Sequence, residues 1–363
     1  MLLEEHSGKT EIFTSNGEQK QLTYLTRIDP FSGKVAKISE ERARRSIGIS
    51  FELQMQPVEN CVFCEYQKHT PKERIEHDCG AVSVPNLYPW ERYDWITIYP
   101  PFTRHKLLLS DLYFDDLERM MESSYELAAI CAHDPDIISF MDFTNWGVFA
   151  GASQQHPHSQ RKSVTKVPSP SLHNELNRCR NLAEQHGKNP FDILVQEERN
   201  DGRRVIYDND IFISTMFAPS CPNEVLIFPK EDISHILQTT ENDRKRIIKS
   251  VLGIFPALFF YRGITNLNIA VHMATFAGME EARKYYRWHM HIYPRRGRLP
   301  IDQAGAELGF GTQVIDTMPE VTAEALRRWY HDGPTQELVV RTGDGNYDPE
   351  LIQEFQKHLN NHG

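Results

Sequence analysis

Residues 142–160 read DFTNWGVFAGASQQHPHSQ, and the organisation of the chain follows from them. The stretch is rich in small residues and closes on His156-Pro157-His158, which predicts a strand, a loop and a second strand. Side chains two apart on a strand point to one face, so both imidazoles can enter one pocket. Pro157 removes a backbone donor and stiffens the segment, which suits an edge or a bend beside a site. The small residues upstream let a ligand approach the backbone closely. A pair of histidines on one face, followed by Gln160, points to chemistry rather than to packing.

Outward from this stretch the pattern repeats. Arg74 to His105 overlays Arg204 to His235 at an offset of about 130. Each copy has strands, a proline, a histidine, and then a long amphipathic helix, over Leu112–Cys131 in the first and Glu241–Tyr261 in the second. Each closes on a strand with His-x-His, His156/His158 and then His289/His291. A repeat this long indicates domain duplication, not a solenoid. The expected fold class is α+β. Each unit is an antiparallel sheet with helices on one side, and the two join into one larger curved sheet. The expected boundaries are a polar, loose N-terminal arm over 1–21, a first unit over 22–190, a second over 191–330 and a helical extension over 331–363. Near the start, Asp29-Pro30-Phe31-Ser32-Gly33 predicts a turn before a short strand and an Arg-rich stretch.

Bulk properties exclude several classes. The 363 residues have room for a large core, and 40% hydrophobic with 25% charged residues is an ordinary globular composition. A formal charge of −10 argues against a grip on nucleic acid. No apolar run reaches the roughly 18 residues that cross a bilayer, so no membrane partner is expected. The opening MLLEEHSGKTEIF has no apolar signal core, so the expected location is cytoplasmic. In a reducing compartment Cys61-x-x-Cys64 reads as metal binding or redox chemistry. His105 and His156 could complete a tetrahedron of two thiolates and two imidazoles. In the second unit His272 precedes another same-face pair, His289 and His291.

The string Asn145-x-Gly147, Gly151-Ala152-Ser153, His156-Pro157-His158-Ser159-Gln160 resembles the active-site segment of galactose-1-phosphate uridylyltransferases, the transferase branch of the histidine-triad superfamily. The resemblance runs from about Leu22 to Arg328 and implies a fold of duplicated histidine-triad-like units. It implies that His158 attacks the α-phosphorus of a nucleotide sugar to form a covalent nucleotidyl-histidine. Gln160 would hydrogen-bond the transferred phosphoryl oxygens, with Ser153 and Asn145 assisting. The chemistry is sound in itself, since neutral imidazole is a competent nucleophile near pH 7 and donors stabilise charge developing on phosphorus. The resemblance also implies zinc on Cys61, Cys64, His105 and His156. A second metal, iron or zinc with a structural role, would sit on Glu175, His272, His289 and His291. Arg27, Arg42, Arg44 and Arg45 are candidate phosphate or base contacts, and Asn86 in VPNLYPW a nucleobase contact. Glu307 and Gln313 fall where the family holds sugar hydroxyls. Leu87 replaces the family's base-reading acid and Ala306 an aromatic residue beside the sugar, so base and sugar both stay open. A homodimer is expected from the family.

The leading expectation is thus a hexose-1-phosphate nucleotidylyltransferase, like the UDP-glucose-dependent uridylyltransferases, with a nucleotide sugar and a sugar 1-phosphate as ping-pong substrates. The rival is a phosphorylase of ADP-sugars or diadenosine tetraphosphate, with phosphate as acceptor. Hydrolytic relatives carry His-x-His-x-His, and Gln160 stands in the third position here. A binding protein that senses a nucleotide sugar without catalysis would have no need of both His158 and Gln160.

Overall fold

One ten-stranded antiparallel sheet carries both halves of the chain. The computed structural model describes residues 2–13, 19–39, 61–102, 114–165, 169–295 and 305–332. In chain order the strands are β1 (Glu4–Phe13), β2 (Gln19–Ile28), β3 (Val35–Ile38), β4 (Ile75–Glu76), β5 (Val82–Pro85), β6 (Asp94–Ile98) and β7 (Ser139–Trp146). Then come β8 (His158–Val164), β9 (Val205–Asp208), β10 (Ile211–Thr215), β11 (Val225–Pro229), β12 (Asn266–His272), β13 (His289–Arg295) and β14 (Thr312–Ile315). The helices are α1 (Tyr66–His69), α2 (Phe114–Ala132), α3 (Pro170–His186), α4 (Pro190–Asp201), α5 (Glu241–Val251), α6 (Ile254–Arg262), α7 (Met279–Ala282), α8 (Gly305–Phe310) and α9 (Pro319–Asp332).

The order across the large sheet is β4-β5-β6-β8-β7 and then β12-β13-β11-β10-β9. Each half mirrors the other strand for strand, and β7 meets β12 at the centre. The α+β fold of two like units in one sheet is therefore present as expected. On one face α2, α5 and α6 cover both halves. α2 buries Leu117, Met121, Ser124, Ala128 and Cys131, the 3.6-residue stripe of an amphipathic helix. These pack with Ile247, Ile248, Phe255 and Leu258 against Phe140, Trp146, Ile213, Ile227, Leu267 and Ile292. The long second helix expected over 241–261 is two helices, α5 and α6. A capping box between Thr240 and Asp243 starts α5.

Helices are not confined to one side. On the opposite face α3 and α4 cover the C-terminal half, with Cys179, Phe191, Leu194 and Val195 packing on Phe212, Leu226 and Phe228. β10 and β11 are thus buried throughout. Over the N-terminal half this face carries His158 and Gln160.

One row of cross-strand partners distinguishes the halves. It runs Ser83, Thr97, Ser159, Thr144 across β5, β6, β8 and β7, then Ile269, Ile292, Val225, Thr215 across β12, β13, β11 and β10. The hydroxyls satisfy one another: Ser83 Oγ lies 2.7 Å from Thr97 Oγ1, and Thr144 Oγ1 lies 2.5 Å from Ser159 Oγ. Tyr99 donates to Ser159 Oγ at 2.7 Å. At the outer end His77 bridges Ser83 Oγ at 2.8 Å and Glu126 at 2.5 Å. Such pairing offsets the cost of burying polar groups under α2.

Within the segment expected as a loose arm over 1–21, residues 4–13 and 19–21 are strand instead. β1 and β2, ten residues each, pair antiparallel and are continued by β3 and a parallel β14 into a four-stranded sheet. The turn expected at 29–33 forms, with the Asp29 carboxylate accepting from the amides of Phe31 and Ser32 and Gly33 at φ 76°. Arg27, expected as a phosphate or base contact, is 1% exposed and ties this sheet to the body. It donates to Glu5 at 2.7 Å, to the Phe217 carbonyl at 3.3 Å and to Glu320 at 2.8 Å. Arg204 donates to the same Glu320 oxygen at 2.7 Å and to Glu198 at 3.0 Å. Arg42, Arg44 and Arg45 lie outside the described residues.

Glu320→Ala leaves two buried guanidinium groups short of their counter-charge, a change that costs about 3 kcal/mol. Urea unfolding should show a clearly lowered midpoint at unchanged slope. An unaltered midpoint would mean that α9 is held by its apolar face alone.

Candidate active site and metal centres

His158 opens β8 and His156 precedes the strand, so the two rings are held differently. His156 Nε2 lies 2.7 Å from the Tyr99 carbonyl. A carbonyl only accepts, so Nε2 carries the proton and Nδ1 keeps its lone pair. That lone pair faces Cys64 Sγ at 3.3 Å. His158 repeats the logic with the nitrogens exchanged. Its Nδ1 donates to the His156 carbonyl at 2.8 Å, leaving the Nε2 lone pair unprotonated. Burial lowers the His158 pKa, so the ring is neutral at pH 7. Phe63 packs edge-on to His158 with ring centroids 5.0 Å apart. A small cavity beside His158 is lined by Tyr99, Thr144, Trp146 and Pro157.

Gln160 shares the His158 face, half-buried, opposite Phe143 on β7 and Ile96 on β6. The same register carried one step further sets Asn145 opposite His158. Ser153 is exposed on the connecting loop. Asn86 is used inside its own loop: Nδ2 donates to Asp94 at 3.1 Å and Oδ1 accepts from the Tyr88 amide at 3.1 Å. That loop turns Leu87, Tyr88 and Trp90 outward. Lys162, on the His158 face, is paired with Asp94 beneath the Trp90 ring. Glu307 sits on a helix, α8. Gln313 on β14 is buried opposite Ala36. Neither lines the cavity beside His158.

Cys61, Cys64 and His156 converge, their ligand atoms within 4.8 Å of one another. Without a cation, burial and the neighbouring Cys61 push the Cys64 thiol up to about 12. Two thiols aimed at an imidazole lone pair are a donor set that suits zinc. His105, the fourth expected ligand, lies outside the described residues.

His272, His289 and His291 converge in the same way. His272 Nδ1 lies 2.8 Å from Glu175 Oε2, and His289 Nε2 lies 2.9 Å from Glu175 Oε1. His289 Nδ1 donates to the Arg287 carbonyl, so Nε2 is the nitrogen that faces the Glu175 carboxylate. A cation fits that opposition. Burial alone would raise the Glu175 pKa, but His272 and His289 together hold it well below the usual carboxylate range. His291 is oriented by Glu224, 2.8 Å from Nδ1, a partner the sequence did not disclose. Burial pushes Glu224 up to about 7. Gln160 and His291 lie on one cross-strand row, through Phe143 and Ala270. Three strand spacings of about 4.8 Å separate them by about 14 Å, too far for the second cluster to touch a group on His158.

No family model matches the chain. In sequence it is 26% identical over 160 residues to galactose-1-phosphate uridylyltransferase of Hypocrea jecorina, covering 42% of this chain and 40% of that protein. It is 28% identical over 200 residues to ADP-glucose phosphorylase of Arabidopsis thaliana, covering 53% and 52%. The chain thus spans about half the length of these curated relatives. The crystal structure of an ADP-glucose phosphorylase from Arabidopsis thaliana with bound ADP-glucose has the same fold, with TM-score 0.70 at 21% identity over 83% of this chain and 98% of that one. The chain thus shares the fold of that structure, with a His-x-His sequence in each half of its mirrored sheet. In sequence it resembles the galactose-1-phosphate uridylyltransferases and ADP-glucose phosphorylase. No described helix is long and apolar enough to cross a membrane.

Metal analysis of purified protein should find two metals that can be removed separately. Cys61→Ser with Cys64→Ser should abolish zinc and keep the second metal, and His291→Ala the reverse. Wild-type protein, folded and free of both metals, would rule out both centres.

Proposed function

We propose that the chain transfers a nucleoside monophosphate from a nucleotide sugar through a covalent intermediate on His158. The carrying observation is the His158 ring: Nδ1 donates to the His156 carbonyl, and Nε2 offers a lone pair on a neutral, buried imidazole. The Nε2 lone pair attacks the α-phosphorus, a P–N bond forms, and the P–O bond to the departing sugar 1-phosphate breaks. An acceptor oxygen then attacks the same phosphorus and the P–N bond breaks. Gln160, Asn145 and Ser153 would donate to the phosphoryl oxygens as charge develops. Zinc held by Cys61, Cys64 and His156, with His105, would be structural, fixing the residue whose carbonyl orients His158. The second metal would brace β12, β13 and α3.

The acceptor is a sugar 1-phosphate in the transferase reading, with Glu307 and Gln313 reserved for the sugar. The likeness to ADP-glucose phosphorylase supports a second reading, with inorganic phosphate as acceptor. We place the unit boundaries near residue 190, and take the protein to be a cytoplasmic homodimer.

Intact mass spectrometry after incubation with UDP-, ADP- and GDP-hexoses tests the proposal. Wild type should gain one nucleoside monophosphate and His158→Ala none. Chasing with phosphate or with hexose 1-phosphate then separates the readings. No adduct with any donor, in protein carrying its metals, would refute the covalent step.

The pH dependence has a definite sign. Burial disfavours the charged imidazole, so His158 stays neutral as pH falls past its ordinary value of 6.5. The acid limb of adduct formation should therefore lie below pH 6.5. A limb above 6.5 would mean that His158 is stabilised as a cation.

A further inference from the structure

β12 of the C-terminal half presents Asn266 and Asn268 to the loop that precedes the His158 strand. Asn266 Oδ1 accepts from the Phe149 amide at 3.2 Å. A Cβ on Gly147 would lie 2.0 Å from that oxygen, and Gly147 has φ 85°, so only glycine lets the loop approach. Asn268 Nδ2 donates to the Ala150 carbonyl at 2.8 Å and to Asn145 Oδ1 at 2.7 Å. Behind it, Arg295 Nε donates to Asn268 Oδ1 at 2.6 Å.

The chemistry of these partners settles how each amide is turned. A guanidinium only donates, so the Asn268 atom facing Arg295 is oxygen. A carbonyl only accepts, so the atom facing Ala150 is nitrogen. Asn145 must then offer its oxygen to Asn268. Its Nδ2 turns to the loop, 4.0 Å from where a Cβ on Gly151 would stand. Asn145 is thereby held as a donor near the end of β7, opposite His158.

We infer that Asn268, oriented by Arg295, is a positioning residue of the transfer site: it presents Asn145 as a hydrogen-bond donor to the phosphoryl group and pins the loop 147–152. The inference rests on the function proposed above. It makes the C-terminal half a working part of a site whose nucleophile lies in the N-terminal half.

Asn268→Asp tests it, because a carboxylate still accepts from Arg295 but cannot donate to Asn145 or Ala150. Misplacement of this kind costs about 100-fold in rate. Adduct formation on His158 should slow by that factor, in kcat rather than KM, at unchanged metal content. Asn145→Ala combined with Asn268→Asp should be no slower than Asn145→Ala alone. Hydrogen exchange of residues 147–152 should quicken in Asn268→Asp. Wild-type adduct formation in Asn268→Asp, or multiplicative effects in the double variant, would overturn the inference. If wild type forms no adduct with any donor, the transfer reading itself fails. Exchange then decides the loop contact alone, and unchanged exchange in Asn268→Asp would dismiss that as well.

Discussion

The antiparallel pairing of β7 with β12 is the constraint on which the candidate site depends. Leu267 through Val271 pair with Trp146 through Asp142, which joins the two halves into one sheet and sets Asn145 beside Asn268. A register slip of one residue would turn every side chain of one half to the opposite face. The apolar row facing α2, α5 and α6 holds the register, since Phe140, Trp146, Leu267 and Ile269 can be buried only in this alignment. The polar residues between them, Asn145, Asn268 and His272, then necessarily share the other face.

Duplication lets one half serve as the control for the other. The cross-strand row facing the helices is aliphatic through Ile269, Ile292 and Val225, and hydroxylic through Ser83, Thr97, Ser159 and Thr144. Only Thr215 at the outer end of that row needs a polar partner, the Pro319 carbonyl, so the inner strands do not require the hydroxyls. They lie directly behind the strand that bears His158, joined to Tyr99, whose carbonyl fixes His156. The opposite face diverges as well. α3 and α4 close it over the C-terminal half, and over the N-terminal half it carries His158 and Gln160.

Both histidine pairs use backbone carbonyls to decide which nitrogen is available. His156 gives its Nε2 proton to Tyr99, His158 its Nδ1 proton to His156, and His289 its Nδ1 proton to Arg287. The opposite nitrogen is left for another group: that of His156 faces Cys64 and that of His289 faces Glu175. The carbonyl two residues earlier orients His158 and His289, whereas the Tyr99 carbonyl that orients His156 comes from a distant segment.

Much of this could be read in the linear chain. The repeat, the His-x-His strands, the Cys61-x-x-Cys64 pair and the amphipathic α2 depend on local spacing, and spacing is a property of sequence. Residues far apart in the chain were another matter. Arg27 looked like a phosphate or base contact because its segment resembles the family's nucleotide-side opening, yet Glu5 and Glu320, 22 and 293 residues away, take it into a buried network. Residues 1–21 looked loose because β1 is polar, and its pairing with β2 and the docking of that sheet on the body are non-local. Phe63 sat in plain view inside the cysteine motif, but Glu224 and Asn268 carried no local signal. Periodicity and residue type act within a few residues, so the linear chain carried the repeat and the chemistry of its motifs. Only the tertiary structure decided which donor faces which acceptor, because a hydrogen bond of about 3 Å between distant segments is set by sheet register and by nothing in either segment alone.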